Sequence, residues 1–218
     1  MLFQDPTPQS AARNMALDEA ILQTTDAPVL RVYSWDRPSV SFGVFQTVAE
    51  VQARFPGRAL VRRWTGGGAV EHGEDFTFSL ILPRSDSRST MRSAASYVWI
   101  HRAVLEAMQP TAASLVCDIP APVGGWCFEK PAPGDILLNG AKICGGAQRR
   151  SRHGLLHQGS IQRVILPADF PIRLCEALGV GTQPFHTGDS LLEMAAVLDR
   201  ERYGSEAWTN GRTNRFTT

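Results

Sequence analysis

Lysine is almost missing from this chain: of 22 cationic residues only Lys130 and Lys142 are lysine, and the rest are arginine. Cysteine is sparse too. Four of them (Cys117, Cys127, Cys144 and Cys175) in 218 residues are too few for a disulfide scaffold, and no Cys-x-x-Cys pair marks a zinc site, so free thiols and no metal site are expected. No apolar run approaches the roughly 18 residues that a membrane span requires, because charges break Val29-Leu30-Arg31-Val32 and Leu60-Val61-Arg62-Arg63. The opening Met1-Leu2-Phe3-Gln4-Asp5-Pro6 has no basic stretch followed by an apolar one, so no secretory signal is read and a cytoplasmic location is expected. Charge of one sign is also lacking. A balance of 22 cationic against 21 acidic residues argues against a nucleic-acid binder, which carries a dominant basic excess.

What is present is an ordinary globular composition, 43% hydrophobic, with no repeat, no low-complexity stretch and no long charge block. One domain over 1–218, with a polar tail from about 209, is the simplest organisation. A first helix is expected from an N-cap at Ser10 to about Gln23. A second, capped by Ser89 or Thr90, carries Tyr97, Ile100, Val104 and Met108 as a stripe. Shorter helices follow near Pro171–Leu178, closed by Gly179, and Leu191–Arg202, closed by Gly204, where glycine permits a left-handed residue after the helix. Strand-like runs cover 29–35, 40–45, 60–64, 76–82, 114–119, 136–138, 141–144 and 155–165. Strands dominate without strict βαβ alternation, which predicts an α+β fold with a central mixed, largely antiparallel sheet flanked by helices.

Three segments carry chemistry. In Arg62-Arg63-Trp64-Thr65-Gly66-Gly67-Gly68-Ala69-Val70-Glu71-His72, three glycines follow a strand and the next element also looks like strand, which excludes a Walker A loop. The run reads either as a flexible turn or as a loop whose backbone approaches a ligand closely. In Asp135-Ile136-Leu137-Leu138-Asn139-Gly140-Ala141-Lys142-Ile143-Cys144, Asn-Gly between apolar runs predicts a type I′ hairpin. Its register sets Leu137, Lys142 and Cys144 on one face, with Cys144 a candidate pocket residue. The basic Gln148-Arg149-Arg150-Ser151-Arg152 beyond it reads as a solvated loop or an anion site, and His157, in a strand, as an ordinary hydrogen-bonded histidine.

Taken together, these segments resemble the superfamily of lipoate-protein ligases, octanoyltransferases and biotin-protein ligases. Asn14–Ala20 is similar to its opening helix, and Leu30–Trp35 followed by Pro38–Gln46 to its next two strands. Arg62–His72 resembles its Arg-Arg-x-Ser/Thr-Gly-Gly-Gly-Ala-Val-x-His signature, and 139–161 its lysine-loop region. The resemblance implies an α+β domain with a pocket for an acyl chain. It places Arg63, Thr65, Gly67, Gly68 and His72 along that pocket, Lys142 at the acyl carbonyl, and Ala147, Gln148 and His157 beside it. A compact ammonium in a chain that otherwise uses arginine agrees with a role for Lys142.

Two enzyme activities divide on energy. Joining a free acid to an amine needs ATP and Mg, whereas a carrier-bound thioester is already activated and needs only a nucleophile. Gly124-Gly125-Trp126-Cys127-Phe128-Glu129-Lys130-Pro131 resembles the Cys-Phe-x-x-Pro segment of cysteine-dependent octanoyltransferases, although Ala132-Pro133-Gly134-Asp135 departs from that family's continuation. The expectation is therefore an octanoyltransferase-like enzyme without cofactor. Cys127 is its nucleophile, Lys142 its electrostatic partner, and the N–H groups of Gly145 and Gly146 are candidate oxyanion donors. The resemblance implies acyl carrier protein as donor, and a lipoyl-domain or glycine-cleavage H-type protein as acceptor. Many ATP-dependent ligases carry a further C-terminal domain, and the stretch after Ile165 is expected to be too short for one. An ATP-dependent lipoate-protein ligase and a non-catalytic acyl- or carrier-binding protein are the alternatives. Cys175 and Cys117 read as packing residues.

Overall fold

The computed structural model describes residues 1–109, 111–117 and 131–211. Its centre is a seven-stranded sheet of β1 (Leu2–Gln4), β2 (Val29–Tyr33), β6 (Phe76–Pro83), β10 (Gly154–Ile161), β9 (Ala141–Ser151), β8 (Ile136–Leu138) and β7 (Ser114–Leu115), in that spatial order. Only the β1–β2 pair is parallel, so the sheet is mixed and largely antiparallel, as the sequence predicts. A separate three-stranded sheet sets β3 (Ser39–Phe42) between β4 (Ala59–Arg62) and β5 (Val70–His72).

Alternation along the long strands explains why both faces of the large sheet are covered. Leu80, Leu82, Leu155 and Ile161 pack with Ile100 and Val104 of α3 (Ser93–Ala107) and with Phe170 and Leu174 of α4 (Phe170–Ala177). Ile81 and Leu156 point the other way, to Leu17 and Ile21 of α1 (Ala11–Thr24) and Leu191 and Ala195 of α5 (Asp189–Leu198). Each such side chain is essentially fully buried, worth about 1.5–3 kcal/mol apiece. Ser10 caps α1 as expected, accepting from the Arg13 N–H at 3.2 Å.

Several local expectations shift. Ser89 and Thr90 form a one-turn 3₁₀ segment, and α3 starts after Arg92 without a side-chain cap. Gly179 is left-handed (φ 59°), but Gly204 is not (φ −89°), because the chain after α5 continues through a π-helical turn, Asp199–Tyr203. The basic run at 149–151 is strand, not loop: Arg150 reaches Met91 O at 2.8 Å and Ser96 Oγ at 2.7 Å. Sequence reading misses β1 and α2 (Val48–Arg54), and the strand expected after the glycine run is β5. The expected tail from 209 overlaps α6 (Glu206–Asn210), which is held by Arg62: its guanidinium donates to Thr209 O at 2.9 Å, and Trp208 Nε1 donates to Arg62 O at 2.7 Å. Among the described residues no helix is long and apolar enough to cross a membrane.

Candidate active site

The small sheet leans on α1 and on the β9–β10 pair, and a narrow, partly enclosed cleft lies between them. Its wall includes Met15, Tyr33, Ser41, Arg63, His72, Ala147 and Gln158. The triple-glycine run forms one lip, and close approach explains its composition: a Cβ at Gly43 would collide with the carbonyl oxygen of Gly67, which itself sits at φ 82°.

Arg63 organises this lip. Its guanidinium donates to Gly66 O and Gly68 O, both at 2.7 Å, to Ser41 O at 2.9 Å and to Thr65 Oγ1 at 3.1 Å. Thr65 passes the network on, donating to Gln158 Oε1 at 2.8 Å, and Gln158 Nε2 donates to Asp18 Oδ2 at 2.8 Å. Asp18, fully buried on α1, is neutralised by Arg31 at 2.8 Å and accepts from Ser79 Oγ at 2.6 Å. Burial first, and then the Asp18 charge, push the Tyr33 hydroxyl well above its ordinary pKa, so it stays protonated beside this anion. A second chain of contacts joins Ser41, His72 and Asp75: Ser41 Oγ lies 2.8 Å from His72 Nε2, and His72 Nδ1 lies 2.8 Å from Asp75 Oδ2.

Lys142 stands at the second residue of β9, beside β8. The hairpin is the type I′ turn expected, with Asn139 at φ 51° and Gly140 at φ 78°, and Leu137 pairs with Lys142. A register shift at Ile136/Leu137 then breaks simple alternation. Ile143 and Cys144 both enter the core under α3, so Cys144 lies in the core and not along the cleft. The Lys142 ammonium turns instead to Asp135, 2.7 Å away, and its tip covers Gly145, where a Cβ would strike it. Asp135 also accepts from Tyr97 OH and from the Ala132 N–H, both at 2.6 Å. Tyr97 OH in turn accepts from the Gly146 N–H at 2.9 Å, which takes one expected oxyanion donor out of play.

The expected site residues therefore divide. Arg63, His72 and Ala147 line the cleft, Thr65, Gly67 and Gly68 build its lip, and Lys142 reaches cleft-lining Gly145. Gln148 and His157 are cross-strand partners on the opposite face, where Gln148 meets Ser96 and His157 stacks on Phe78 and faces His101. Burial lowers the pKa of His101 to about 4, and burial, then the neighbouring His101, lowers His157 well below its ordinary value, so both are neutral. Cys127 lies outside the described residues. Cys117 is exposed rather than packed, while Cys175 is core and burial raises its thiol to about 11. The sequence does not single out Ser41, Asp75, Asp18, Asp135, Tyr97 or Gln158 as site residues; apart from Asp75, which follows His72 by three residues, each becomes visible only through a partner distant in the chain. Among the described residues no group of three His, Cys, Asp or Glu side chains converges as a metal site.

An octanoyltransferase LipM of Oceanobacillus iheyensis is 36% identical over 170 residues, covering 73% of this chain and 62% of that protein. The chain thus spans somewhat less than two thirds of the length of this curated relative. A lipoate-protein ligase A bound with ATP shares the fold at a TM-score of 0.77 and 23% identity, over 97% of this chain and 98% of the other. So does a bi-partite lipoate protein ligase of Thermoplasma acidophilum, solved with its E2 lipoyl domain, at a TM-score of 0.73 and 21% identity over 100% and 98%. The family model described as lipoyl protein ligase A/B catalytic domain matches residues 10–163, the segment that builds β9, β10 and the whole cleft, and the chain belongs to that family.

Proposed function

We propose that this chain moves an octanoyl or similar medium-chain acyl group from an acyl carrier protein thioester to a lysine of a lipoyl-domain or H-type acceptor in the cytoplasm, through a thioester on Cys127. The observation that carries the reading is Lys142: a nearly buried ammonium, ion-paired to Asp135, lies against cleft-lining Gly145. Asp135 is also tied to the chain on either side of the Cys127 segment, through Ala132 N–H to its carboxylate and Val116 N–H to its carbonyl. The relative named as an octanoyltransferase supports transfer, and the T. acidophilum ligase solved with an E2 lipoyl domain supports the acceptor class.

In this reading an ammonium beside the thiol draws its pKa from about 8.5 toward neutrality, and the thiolate attacks the donor's thioester carbonyl. The donor thiol leaves with a proton, and the acceptor's amine then displaces the Cys127 sulfur to form the amide. Methylenes buried along Met15 and Val70 contribute about 0.8 kcal/mol each. The incoming thioester supplies the activation, so the reaction calls for no ATP or Mg.

Incubation with octanoyl-carrier thioester and an apo lipoyl domain, with and without ATP, separates the alternatives by intact mass. Octanoylated acceptor without nucleotide, together with an enzyme adduct absent from Cys127→Ala, is the expected result. Product only from free acid plus ATP would establish a ligase, and neither adduct nor product would leave an acyl-binding protein.

A further inference from the structure

The cleft holds a second group of reactive side chains that the cysteine route leaves unused. Ser41 on β3 and His72 at the end of β5 are diagonal neighbours on the paired strands of the small sheet, and Asp75 follows three residues later. All are nearly buried, and Ser41 and His72 line the cleft. We propose that Ser41, His72 and Asp75 form a nucleophilic relay that gives this cleft a hydrolytic activity toward acyl thioesters and esters, independent of any cysteine.

Donor and acceptor bookkeeping sets the direction of the relay. Arg63 can only donate, and its Nη1 lies 3.1 Å from Ser41 Oγ. The single Ser41 proton is therefore free to point at His72 Nε2, 2.8 Å away. That nitrogen accepts it when Nδ1 carries the ring proton, which is the tautomer selected by the Asp75 carboxylate at 2.8 Å. Asp75 is fixed in turn by Ser160 Oγ at 2.7 Å, Thr77 Oγ1 at 2.9 Å and the Gly73 N–H at 3.1 Å. Burial alone would raise its pKa, but the hydrogen bond from His72 and the other contacts outweigh that and hold it below the ordinary value, so it remains a carboxylate.

Two further contacts favour the charges that develop. The indole of Trp35 stacks on His72 with centroids 4.0 Å apart and 13° between planes, a platform for an imidazolium. The Arg63 guanidinium, its Nη1 3.1 Å from Ser41 Oγ, holds a fixed positive charge beside the reacting centre. These are the geometric roles by which a serine–histidine–acid relay is recognised on any fold.

The reaction balances without a cofactor. Ser41 Oγ bonds to the acyl carbonyl carbon while its proton passes to His72 Nε2, the C–S bond breaks, and the departing thiolate takes that proton. Water then attacks the serine ester, giving a proton to His72, which returns it to Ser41 Oγ as the acid leaves.

The test uses the full chain carrying Cys127→Ala and an alkyl fluorophosphonate, which bonds covalently to activated serines as fluoride departs. Intact mass and peptide mapping should find one adduct on Ser41, formed about 100-fold more slowly in Asp75→Asn. No adduct at a dose that fully labels a known serine hydrolase, an adduct on another residue, or an undiminished rate in a folded Asp75→Asn protein would each overturn the proposal. Should Asp75→Asn fail to fold, the adduct site decides alone: Ser41 sustains the relay, and any other outcome refutes it.

Discussion

Lys142 and Asp135 are both nearly buried and 2.7 Å apart, so each protects the other from the cost of an unpaired charge. Removing one partner of such a pair typically costs about 3–5 kcal/mol, chiefly because the other is stranded. Lys142→Met should therefore lose both function and about 3 kcal/mol of unfolding free energy in urea. Lys142→Arg separates the two roles. Its planar fork retains the charge for Asp135, but it is broader than an ammonium over Gly145, where even a Cβ would strike the lysine tip. Stability measured in urea should recover most of the loss, while Cys127 acylation followed by mass should remain at least ten times slower than in the parent. Full acylation by Lys142→Arg would show that only charge matters at this position.

At the scale of the strand, one residue of parity decides which side chain meets substrate. Gln158 and Gln148 are both glutamines near the lysine hairpin, but Gln158 lies on the α1 face and lines the cleft, while Gln148 lies on the α3 face against Ser96 and Arg150. Gln158→Ala should lower kcat/KM for acyl transfer about tenfold, the worth of roughly one hydrogen bond, whereas Gln148→Ala should change it by less than about threefold. Equal losses from the two variants would contradict the assignment of faces.

The same parity marks the limit of what the sequence reveals. The type I′ hairpin and the α1 cap are legible because Asn139-Gly140 and Ser10 act locally. Arg63, Thr65 and His72 are legible through the resemblance of Arg62–His72 to the family signature, not through the glycine run by itself. The register shift before Lys142 is not legible, so plain alternation sets Cys144 on the lysine's face, whereas the chain carries it into the core. Ser41 and His72 are 31 residues apart in the chain, and only the pairing of β3 with β5 brings them within 2.8 Å. A strand as short as β1, three residues, gives no periodicity to read.

Over the whole molecule, the layer between the sheet and α3 contains two histidines that should govern its acid stability. His101 Nδ1 lies 2.6 Å from Gly134 O, a carbonyl that can only accept, so the ring proton sits on Nδ1; among the described residues the Nε2 atoms of His101 and His157 have no partner. The rings meet edge to face at 5.3 Å; a charge on either is opposed first by burial, and one on His157 by His101 as well. An unfolded histidine takes up a proton near pH 6.5, whereas folded His101 does so only near pH 4. Between those values the unfolded chain binds more protons than the folded one, and stability falls as the pH is lowered through the window. It is fully present above about pH 6.5. With both rings contributing, the unfolding free energy should decline by up to about 2.7 kcal/mol per pH unit in that window. His157→Phe, which suits the stack on Phe78, should roughly halve the slope. Asp75 acts lower on the scale: its depressed pKa adds stability above about 3.8, which is lost only on further acidification, so Asp75→Asn should leave the histidine window unchanged. Urea titrations of the three proteins at half-unit steps from pH 4 to 8 measure both slopes. A parent curve flat across pH 4–6.5 would mean that the buried rings take up protons without opening the fold, and the layer beneath α3 would then have to admit water.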